Sequence, residues 1–442
     1  MSDAAEPEPG TRQPQGATVP LGDVEPARSR HAGRRSAVAL TDASVVVGTA
    51  HGDVLAFERE SITDRDTLAD RDTPADHDTL AERWRHASET DGSVVAIEPF
   101  DGGIVVGERG PTGELRLHDE ATGEVRWRYA AADAVGDPQR DTRFFLPFVA
   151  SLASDGDRCY AAVRRYERDG DARSFESAVI SFDGSGAVPW SFETDASPIA
   201  VDADGDRVAV AFNRCPGDHQ HGLVVLDAET GAPRYDWDPG TEGQRRVGDV
   251  SLLGDGVVLA SHGDYRGYRL RDGGEELWRI DLAVPTTVDG ERVYAYPNHV
   301  HATAEGCVFV TGNTYTESEG RDAAALHPAE HTASGYALDG THRWSADVGG
   351  FAGELGTDGE RIAIPGAQHF RTRDADVHGL RLCGVADGPQ TSLETDGILT
   401  AVSVADGAYA AVEEPVVYHD EGVERGAYRL LSASGGAQSD SR

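Results

Sequence analysis

The sequence of 442 residues contains no lysine, so its 40 basic side chains are all arginine. Against these stand 77 Asp and Glu residues, which give the chain a net charge of −37. A chain with so few cations cannot neutralise many phosphate groups. The charge balance therefore excludes nucleic acids and anionic membrane surfaces as expected partners.

Cysteine and long apolar runs are scarce as well. The four cysteines form no CxxC pair, and Cys159 and Cys307 lie in apolar runs, where a thiol acts as a small hydrophobe; the set is Cys159, Cys215, Cys307 and Cys383. No apolar run approaches the length of about 18 residues that a membrane helix needs, and the N-terminus shows no export signal. The sequence predicts a soluble, unexported, cytoplasmic protein.

Loss of lysine together with an excess of carboxylates resembles the composition of cytosolic proteins from extreme halophiles. In molar salt, repulsion between carboxylates is screened within about 3 Å. We therefore expect this protein to be adapted to high salt.

What the chain does contain is a degenerate repeat that ends in tryptophan. Clear copies run from Leu117 to Trp127 and from Leu226 to Trp237, with a Thr-Gly turn before the indole. A strand-rich unit of about 40 residues is typical of a β-propeller blade, in which the indole packs between blades and its N–H finds a polar partner. All six tryptophans occupy this place, with gaps of 43, 63, 47, 41 and 66 residues: Trp84, Trp127, Trp190, Trp237, Trp278 and Trp344.

Acidic and glycine turns recur within each unit, because Asp-Gly supplies the positive φ angles of a tight hairpin. The sequence therefore predicts an all-β, eight-bladed β-propeller over residues 36–431. An extra hairpin at 286–296 leaves seven blades as the alternative. The eight units are 36–86, 93–129, 148–192, 198–237, 248–280, 299–346, 352–395 and 398–431.

Three segments lack the repeat pattern. Residues 1–35 and 432–442 are predicted to be mostly disordered tails. Within the first tail, residues 17–21 are a candidate closing strand for the eighth blade, which lacks a clear fourth strand. Residues 65–82 repeat an acidic hexapeptide three times, which indicates a low-complexity, solvated loop insertion, with a partner-binding element as the alternative.

The pattern Leu-Asp-x-Glu-Thr-Gly followed by tryptophan resembles the repeat of the pyrroloquinoline-quinone (PQQ) type, or BamB-like, propellers. The resemblance extends over nearly the whole chain, from Ala37 to Leu431. For the dehydrogenase branch it implies a quinone under an adjacent cysteine pair. Since no two cysteines here are neighbours, PQQ and quinone-dependent dehydrogenation are not expected. The BamB branch implies a scaffold for protein assembly, although the N-terminus shows no lipoprotein signal.

Histidine concentrates in the loops expected on one face of the propeller. Residues on loops that a rigid scaffold positions are often binding residues, so this face is the predicted binding face. Nine of the sixteen histidines fall in these loops: His51, His219, His221, His262, His327, His331, His369, His378 and His419.

The sharpest local feature is a His-x-His pair on the first strand of the sixth unit. A strand projects both rings to the same side, and an innermost strand would face the channel. The following long loop brings further polar groups, and neutral imidazoles with a carboxylate suit zinc or another divalent ion. Loop hydrogen bonding is the alternative role. The ligand-binding candidates are His299, His301, Asn313, His327, Glu330 and His331, of which His299, His301, His327 and His331 are the metal candidates.

Two further groups of residues are weaker candidates for binding. Cys215, His219 and His221 are spaced as a minor metal cluster without a second thiol. Arginines in the long loops could meet an anionic ligand or offset their acidic neighbours: Arg321, Arg371 and Arg373.

The sequence therefore favours a non-catalytic binding or assembly scaffold with a protein partner and no resident cofactor. The alternative is an enzyme or sensor with a histidine-rich, metal-binding site at the channel mouth. No catalytic residue is assigned, and a monomer is the expected state.

Overall fold

The computed structural model describes residues 16–28, 35–59, 80–317, 324–367, 369, 375–418 and 422–434. Of the predicted insertion at 65–82, only residues 80–82 belong to this part of the chain. Short helices are a single α-turn at Ala132–Val135 and a 3-10 turn at Ala375–Val377. No helix among the described residues is long and apolar enough to cross a membrane.

The first four units are antiparallel sheets in which the chain passes from strand to strand in sequence order. The second and third share one hydrogen-bonded sheet, since Phe148 pairs with Arg109. Strand β1 (Ala17–Pro20) belongs to the last sheet. The strands of the first four units are β2 (Ala37–Leu40), β3 (Ser44–Gly48), β4 (Val54–Glu58) and β5 (Glu82–His86); β6 (Ser93–Phe100), β7 (Gly103–Arg109), β8 (Glu114–Asp119) and β9 (Val125–Ala130); β10 (Phe148–Ser154), β11 (Cys159–Asp169), β12 (Ala172–Phe182) and β13 (Ser191–Thr194); and β14 (Ser197–Ala203), β15 (Arg207–Arg214), β16 (Leu223–Asp227) and β17 (Pro233–Trp237).

The later units repeat this plan. Their strands are β18 (Val247–Leu253), β19 (Gly256–Ser261), β20 (Arg266–Arg271) and β21 (Glu276–Asp281); β22 (Thr286–Val288), β23 (Glu291–Thr303), β24 (Gly306–Thr316), β25 (Thr332–Tyr336) and β26 (His342–Asp347); β27 (Gly356–Thr357), β28 (Arg361–Gly366), β29 (Gly379–Gly384) and β30 (Gly388–Glu394); β31 (Ile398–Ala405) and β32 (Ala408–Glu414); the small pair β33 (Val416–Val417) and β34 (Glu424–Arg425); and β35 (Arg429–Ser434).

The N-terminal strand β1 is the outermost strand of the last sheet. It pairs antiparallel with β35, with Ala17 opposite Ser432, and the sheet order is β1-β35-β32-β31. The last strand runs to Ser434, beyond the expected end of the repeats at 431. Pairing between β1 and β35 joins the two ends of the described chain and covers an otherwise open sheet edge.

The hairpin predicted at 286–296 does not form a unit of its own. Its second half is the beginning of β23, and β22 pairs with that same extension through Thr286 and Val293. The inner hairpin of the sixth unit is therefore longer than those of its neighbours. It extends further on the side of the propeller that carries the long loops.

Packing between sheets is continuous around the ring. Each of eight apolar clusters combines buried side chains from two successive units, and the cluster that contains Val38 and Val412 joins the first unit to the last. The clusters therefore join each of the eight units to its neighbours on both sides. Alternating side chains bury both faces of each sheet, because every sheet lies between two others.

Polar side chains of the innermost strands also tie neighbouring units together. Ser251 Oγ accepts the main-chain N–H of Ala302 at 3.1 Å, and Asp202 Oδ2 accepts that of Leu252 at 2.7 Å. Ser403 Oγ accepts the N–H of Leu40 and so bonds the last unit to the first. Each contact satisfies a donor that the antiparallel ladder leaves open on the channel side.

Candidate functional site

A cavity of about 790 Å³ occupies the channel between the innermost strands of the second to seventh units. Its walls are built where β10, β14, β18 and β23 present alternate side chains to the centre of the ring. Asp202 lies near the hairpins that join first and second strands, and Tyr296 and Tyr315 lie at the opposite end. We call this second end the channel mouth, and define it by Asn213, Arg245, His262, Tyr296, Asn298, Asn313 and Tyr315.

The end away from the mouth carries carboxylates. Burial in the channel wall raises the pKa of Glu98 to about 7, and burial raises the pKa of Asp202 to about 6. Ser154 Oγ donates to Glu98 at 2.9 Å, which offsets part of the desolvation. These groups take up protons well above the range of ordinary carboxyls.

The two predicted channel histidines do line the cavity. His299 Nε2 donates to the carbonyl of Ala352 at 3.1 Å, and its Nδ1 lies 3.6 Å from Asp249 Oδ2. The pKa of His301 is lowered because the ring is desolvated, so the ring is neutral at physiological pH. His301 Nε2 has no hydrogen-bond partner among the described residues.

Two of the other predicted residues, Glu330 and His331, form a compact group beside the mouth, together with one residue that the sequence did not place there. Glu330, His331 and His369 each offer a ligand atom, and these atoms lie within 4.8 Å of one another. Glu330 Oε1 is 3.9 Å from His331 Nε2 and 3.5 Å from His369 Nε2. Asn313 Oδ1 lies 2.9 Å from His331 Nε2 and connects the group to the channel.

The local structure holds this group in place. Thr314 presents both its main-chain N–H and its hydroxyl to Glu330 Oε2, which fixes the carboxylate. His331 adopts a positive φ of 45°, a conformation that non-glycine residues rarely adopt. Burial, followed by the nearby His369, lowers the pKa of His331 to about 3, so this ring is a neutral imidazole.

His327 is turned away from this group. Its Nδ1 accepts the N–H of Ala329 at 3.0 Å, and its Nε2 donates to the carbonyl of Val284 at 3.1 Å. Both ring nitrogens are thus engaged in fixing the loop. Within the described residues, the compact group contains neither His327 nor the channel pair His299 and His301.

The weaker cluster is engaged in internal contacts. Cys215 Sγ donates to the carbonyl of His221 at 3.5 Å, and burial raises the pKa of the thiol to about 12. His219 Nε2 donates to the same carbonyl at 2.9 Å, and His221 Nδ1 lies 3.1 Å from Asp236. All four cysteines are free and buried. Arg321, Arg371, Arg373 and His419 lie outside the described residues.

Tyrosine and arginine side chains lie at and around the mouth, a feature that the sequence reasoning missed. Four tyrosines form a continuous wall with ring centroids 4.5 to 5.9 Å apart: Tyr265, Tyr294, Tyr296 and Tyr315. The Arg245 guanidinium lies over the Tyr296 ring at 5.1 Å, and its Nη1 donates to Asn213 Oδ1 at 3.4 Å. The alternation in Tyr294-Ala-Tyr296 was the available signal, because it places both rings on one face of a strand.

Comparison with known proteins identifies the fold. Neither a protein-family model nor a curated protein sequence matches this chain. Solved structures do match over nearly its full length. BamB from Moraxella catarrhalis shares 14% identity, with 94% of this chain and 98% of that chain covered and a TM-score of 0.53.

Two other solved structures match to a similar extent. The quinohemoprotein alcohol dehydrogenase ADHIIG from Pseudomonas putida HK5 shares 10% identity, with 96% of this chain and 76% of that chain covered and a TM-score of 0.56. The C-terminal WD40 domain of Sif2 shares 12% identity, with 95% and 99% covered and a TM-score of 0.54. At such low sequence identities, the similarity shows the fold and not the function. The predicted all-β propeller of the BamB and quinoprotein type is confirmed as the fold of this chain.

Proposed function

We propose that this chain is a non-catalytic binding protein that receives a protein partner at the channel mouth. The observation that carries the proposal is the concentration of tyrosine and arginine around the opening of the 790 Å³ cavity. These residue types are enriched at the energetically important centres of protein interfaces, because each combines a large contact area with hydrogen-bonding groups.

The shape of the mouth supports the same assignment. The sixth unit extends its inner hairpin through β22, β23 and β24, and the third unit extends β11 and β12, each 11 residues long. Phe144, in the connection before β10, leaves 61% of its surface exposed. Exposed aromatic groups around a polar cavity give a partner both apolar area and orienting hydrogen bonds. The proposal also includes a cytoplasmic location and operation in high salt, both of which rest on composition.

Matched variants test this function. We would purify tagged full-length chain from its native cells as wild type, as Tyr315→Ala, and as Arg271→Ala. Arg271 lies on the opposite face, paired with Glu275 at 2.7 Å. A stoichiometric protein that co-purifies with wild type and Arg271→Ala, is lost with Tyr315→Ala, and cross-links to mouth residues would support the proposal. Equal recovery with all three chains would reject it.

A second candidate function is divalent metal binding by Glu330, His331 and His369. Ligands bonded to zinc at about 2.1 Å in a tetrahedron lie about 3.4 Å apart. The observed separations of 3.5 and 3.9 Å are close to that value. A neutral His331 is the ligand form that metals require, and Asn313 Oδ1 is placed as a further oxygen donor.

Metal removal and reloading separate the two candidates. After EDTA treatment, zinc should restore one ion per chain and raise the melting temperature of wild type. Glu330→Gln and His369→Ala should lose both responses. His342→Ala is the control, because His342 is an exposed histidine bonded to Ser345. If zinc shifts the melting of Glu330→Gln and His369→Ala as much as that of wild type, this group is not a metal site.

A further inference from the structure

We propose that Arg214 and Arg245 form an oxyanion subsite at the channel mouth, which takes a carboxylate or phosphate group of the bound molecule. The inference deepens the proposed function and rests on it for the identity of the natural partner. The binding of an oxyanion is a property of the chain alone, and it is measured without that partner.

Backbone pairing places the two arginines directly opposite each other. Arg214 ends β15, and an isolated antiparallel bridge sets it directly opposite Arg245, which lies in the connection before β18. Residues that are directly opposite in an antiparallel pair project their side chains to the same side. Arg245 lines the cavity and stacks over Tyr296, which places Arg245 in the mouth and Arg214 beside it.

A third arginine continues the row towards the third unit. Ser197 pairs with Arg214 on the other side of β15, and the guanidinium of Arg164 donates to Ser197 Oγ. Arg164, Arg214 and Arg245 therefore follow one another along one rim of the mouth. Such a row concentrates positive potential at one opening of a protein whose net charge is −37.

Among the described residues, none supplies Arg214 with the negative charge that a half-buried guanidinium requires. No hydrogen bond or ion pair to a described residue involves its guanidinium, and the charged groups that act on it most strongly are Arg245 and Arg173. Burial, and then these two arginines, lowers the pKa of Arg214 to about 10. A shortage of acidic residues does not explain why Arg214 has no acidic partner in the described part of the chain, because the chain contains 77 carboxylates and only 40 arginines. An oxyanion between Arg214 and Arg245 supplies the missing charge.

The neighbouring groups suit an oxyanion rather than a second cation. Each guanidinium offers five N–H donors in a planar fork that matches the oxygens of a carboxylate or phosphate. Asn213 and Asn298 line the same part of the cavity and add neutral amide donors. Burial, and then Arg245, lowers the pKa of His262 to about 3, so this ring stays neutral beside the pair.

Calorimetric titration of the purified full-length chain tests the subsite. We would titrate inorganic phosphate and, separately, acetate at constant KCl concentration into wild type, Arg214→Gln, Arg245→Gln and Arg271→Gln. Wild type should bind at least one of the two ions, and that ion identifies the group to seek in the partner. Each mouth variant should bind it at least tenfold more weakly, whereas Arg271→Gln should bind as wild type does.

Two results would overturn the subsite: wild type that binds neither ion, or mouth variants that bind as tightly as wild type does. Unchanged melting temperatures of the two mouth variants show that lost binding is not lost folding. Because these titrations contain no partner, their failure leaves the co-purification test of Tyr315→Ala standing. Failure of co-purification likewise leaves a measured oxyanion affinity intact.

Discussion

Gly231 lies directly against the indole of Trp190. A Cβ atom added to Gly231 would come within 2.5 Å of Trp190 Cδ2, and the Trp190 N–H donates to the carbonyl of Ala228 in the same turn at 2.9 Å. The glycine of one unit is thus the packing surface for the tryptophan of the preceding unit. Gly123, Gly186 and Gly388 make the same approach to Trp84, Trp127 and Trp344. This contact explains why Thr-Gly and tryptophan recur together in the sequence.

Replacing Gly231 with alanine should destabilise the protein through both strain and overlap. Its φ of 72° costs an alanine about 1–2 kcal/mol, and overpacking against the indole adds about 1–3 kcal/mol. Gly205→Ala is the matched control, since Gly205 has a φ of 79° and open space around its Cα. Denaturant unfolding of both variants measures the difference. Equal losses of stability would mean that the glycine–indole contact contributes nothing.

Trp127→Ala should lower the free energy of unfolding by about 3–5 kcal/mol, because it removes a large buried ring. Trp127 stacks on Phe182, with ring centroids 5.1 Å apart, in the cluster between the second and third units. Thermal and denaturant melts of the variant measure the loss. Melting close to that of wild type would contradict the role of the tryptophans in packing between units.

Trp190→Phe should lower the free energy of unfolding by about 1 kcal/mol more than Trp127→Phe does, because only the Trp190 substitution removes a hydrogen bond. The Trp84, Trp278 and Trp344 indoles also donate to carbonyls of the following unit. Trp127 Nε1, in contrast, has no partner among the described residues. Paired unfolding measurements check the difference. A larger loss in Trp127→Phe would show that its N–H is in fact bonded.

Glu98 should make stability fall as pH rises from about 4.5 to about 7. Its pKa in the folded protein is raised to about 7 from the ordinary 4.5, so the folded state binds the proton more tightly than the unfolded state does. The stabilisation is complete below pH 4.5 and is lost by the time pH exceeds 7. Glu98→Gln should therefore melt progressively higher than wild type over this interval, whereas the exposed control Glu229→Gln should not. A pH-independent difference between Glu98→Gln and wild type would contradict the raised pKa.

Transfer from molar to about 0.1 M KCl should lower the melting temperature. The screening length grows from about 3 Å to about 10 Å, so repulsion among the excess carboxylates acts over longer distances. Melting curves across a KCl series test the adaptation to salt inferred from composition. A melting temperature that does not change with KCl concentration would rule it out.

The repeat could be recognised from the sequence because its signals are local. Asp101 and Gly102 have φ angles of 48° and 63°, as a tight Asp-Gly hairpin requires, and Asp289 and Asp406 are similar. Such signals depend on a residue and its immediate neighbours. Trp84 and Trp127 were likewise recognisable from spacing alone, because their packing repeats from unit to unit.

Only part of the candidate site could be predicted from the sequence. His299 and His301 were correctly expected to face the channel, since side-chain alternation along a strand is a local property. His369 could not be assigned to Glu330 and His331, because it comes from the seventh unit and meets them only through packing of adjacent sheets. His327 was expected in the same group, but Ala329 of its own loop and Val284 of the connection before β22 engage both of its nitrogens.

The all-β repeat, the turns and the charge of the protein follow from the sequence alone, since each depends on composition or on short-range stereochemistry. Which side chains meet depends instead on the tertiary structure. Arg214 lies opposite Arg245, and Glu330 lies near His369, because neighbouring sheets and their connections bring distant parts of the chain together. Such meetings depend on how far each strand and loop extends into three-dimensional space, which no local pattern records.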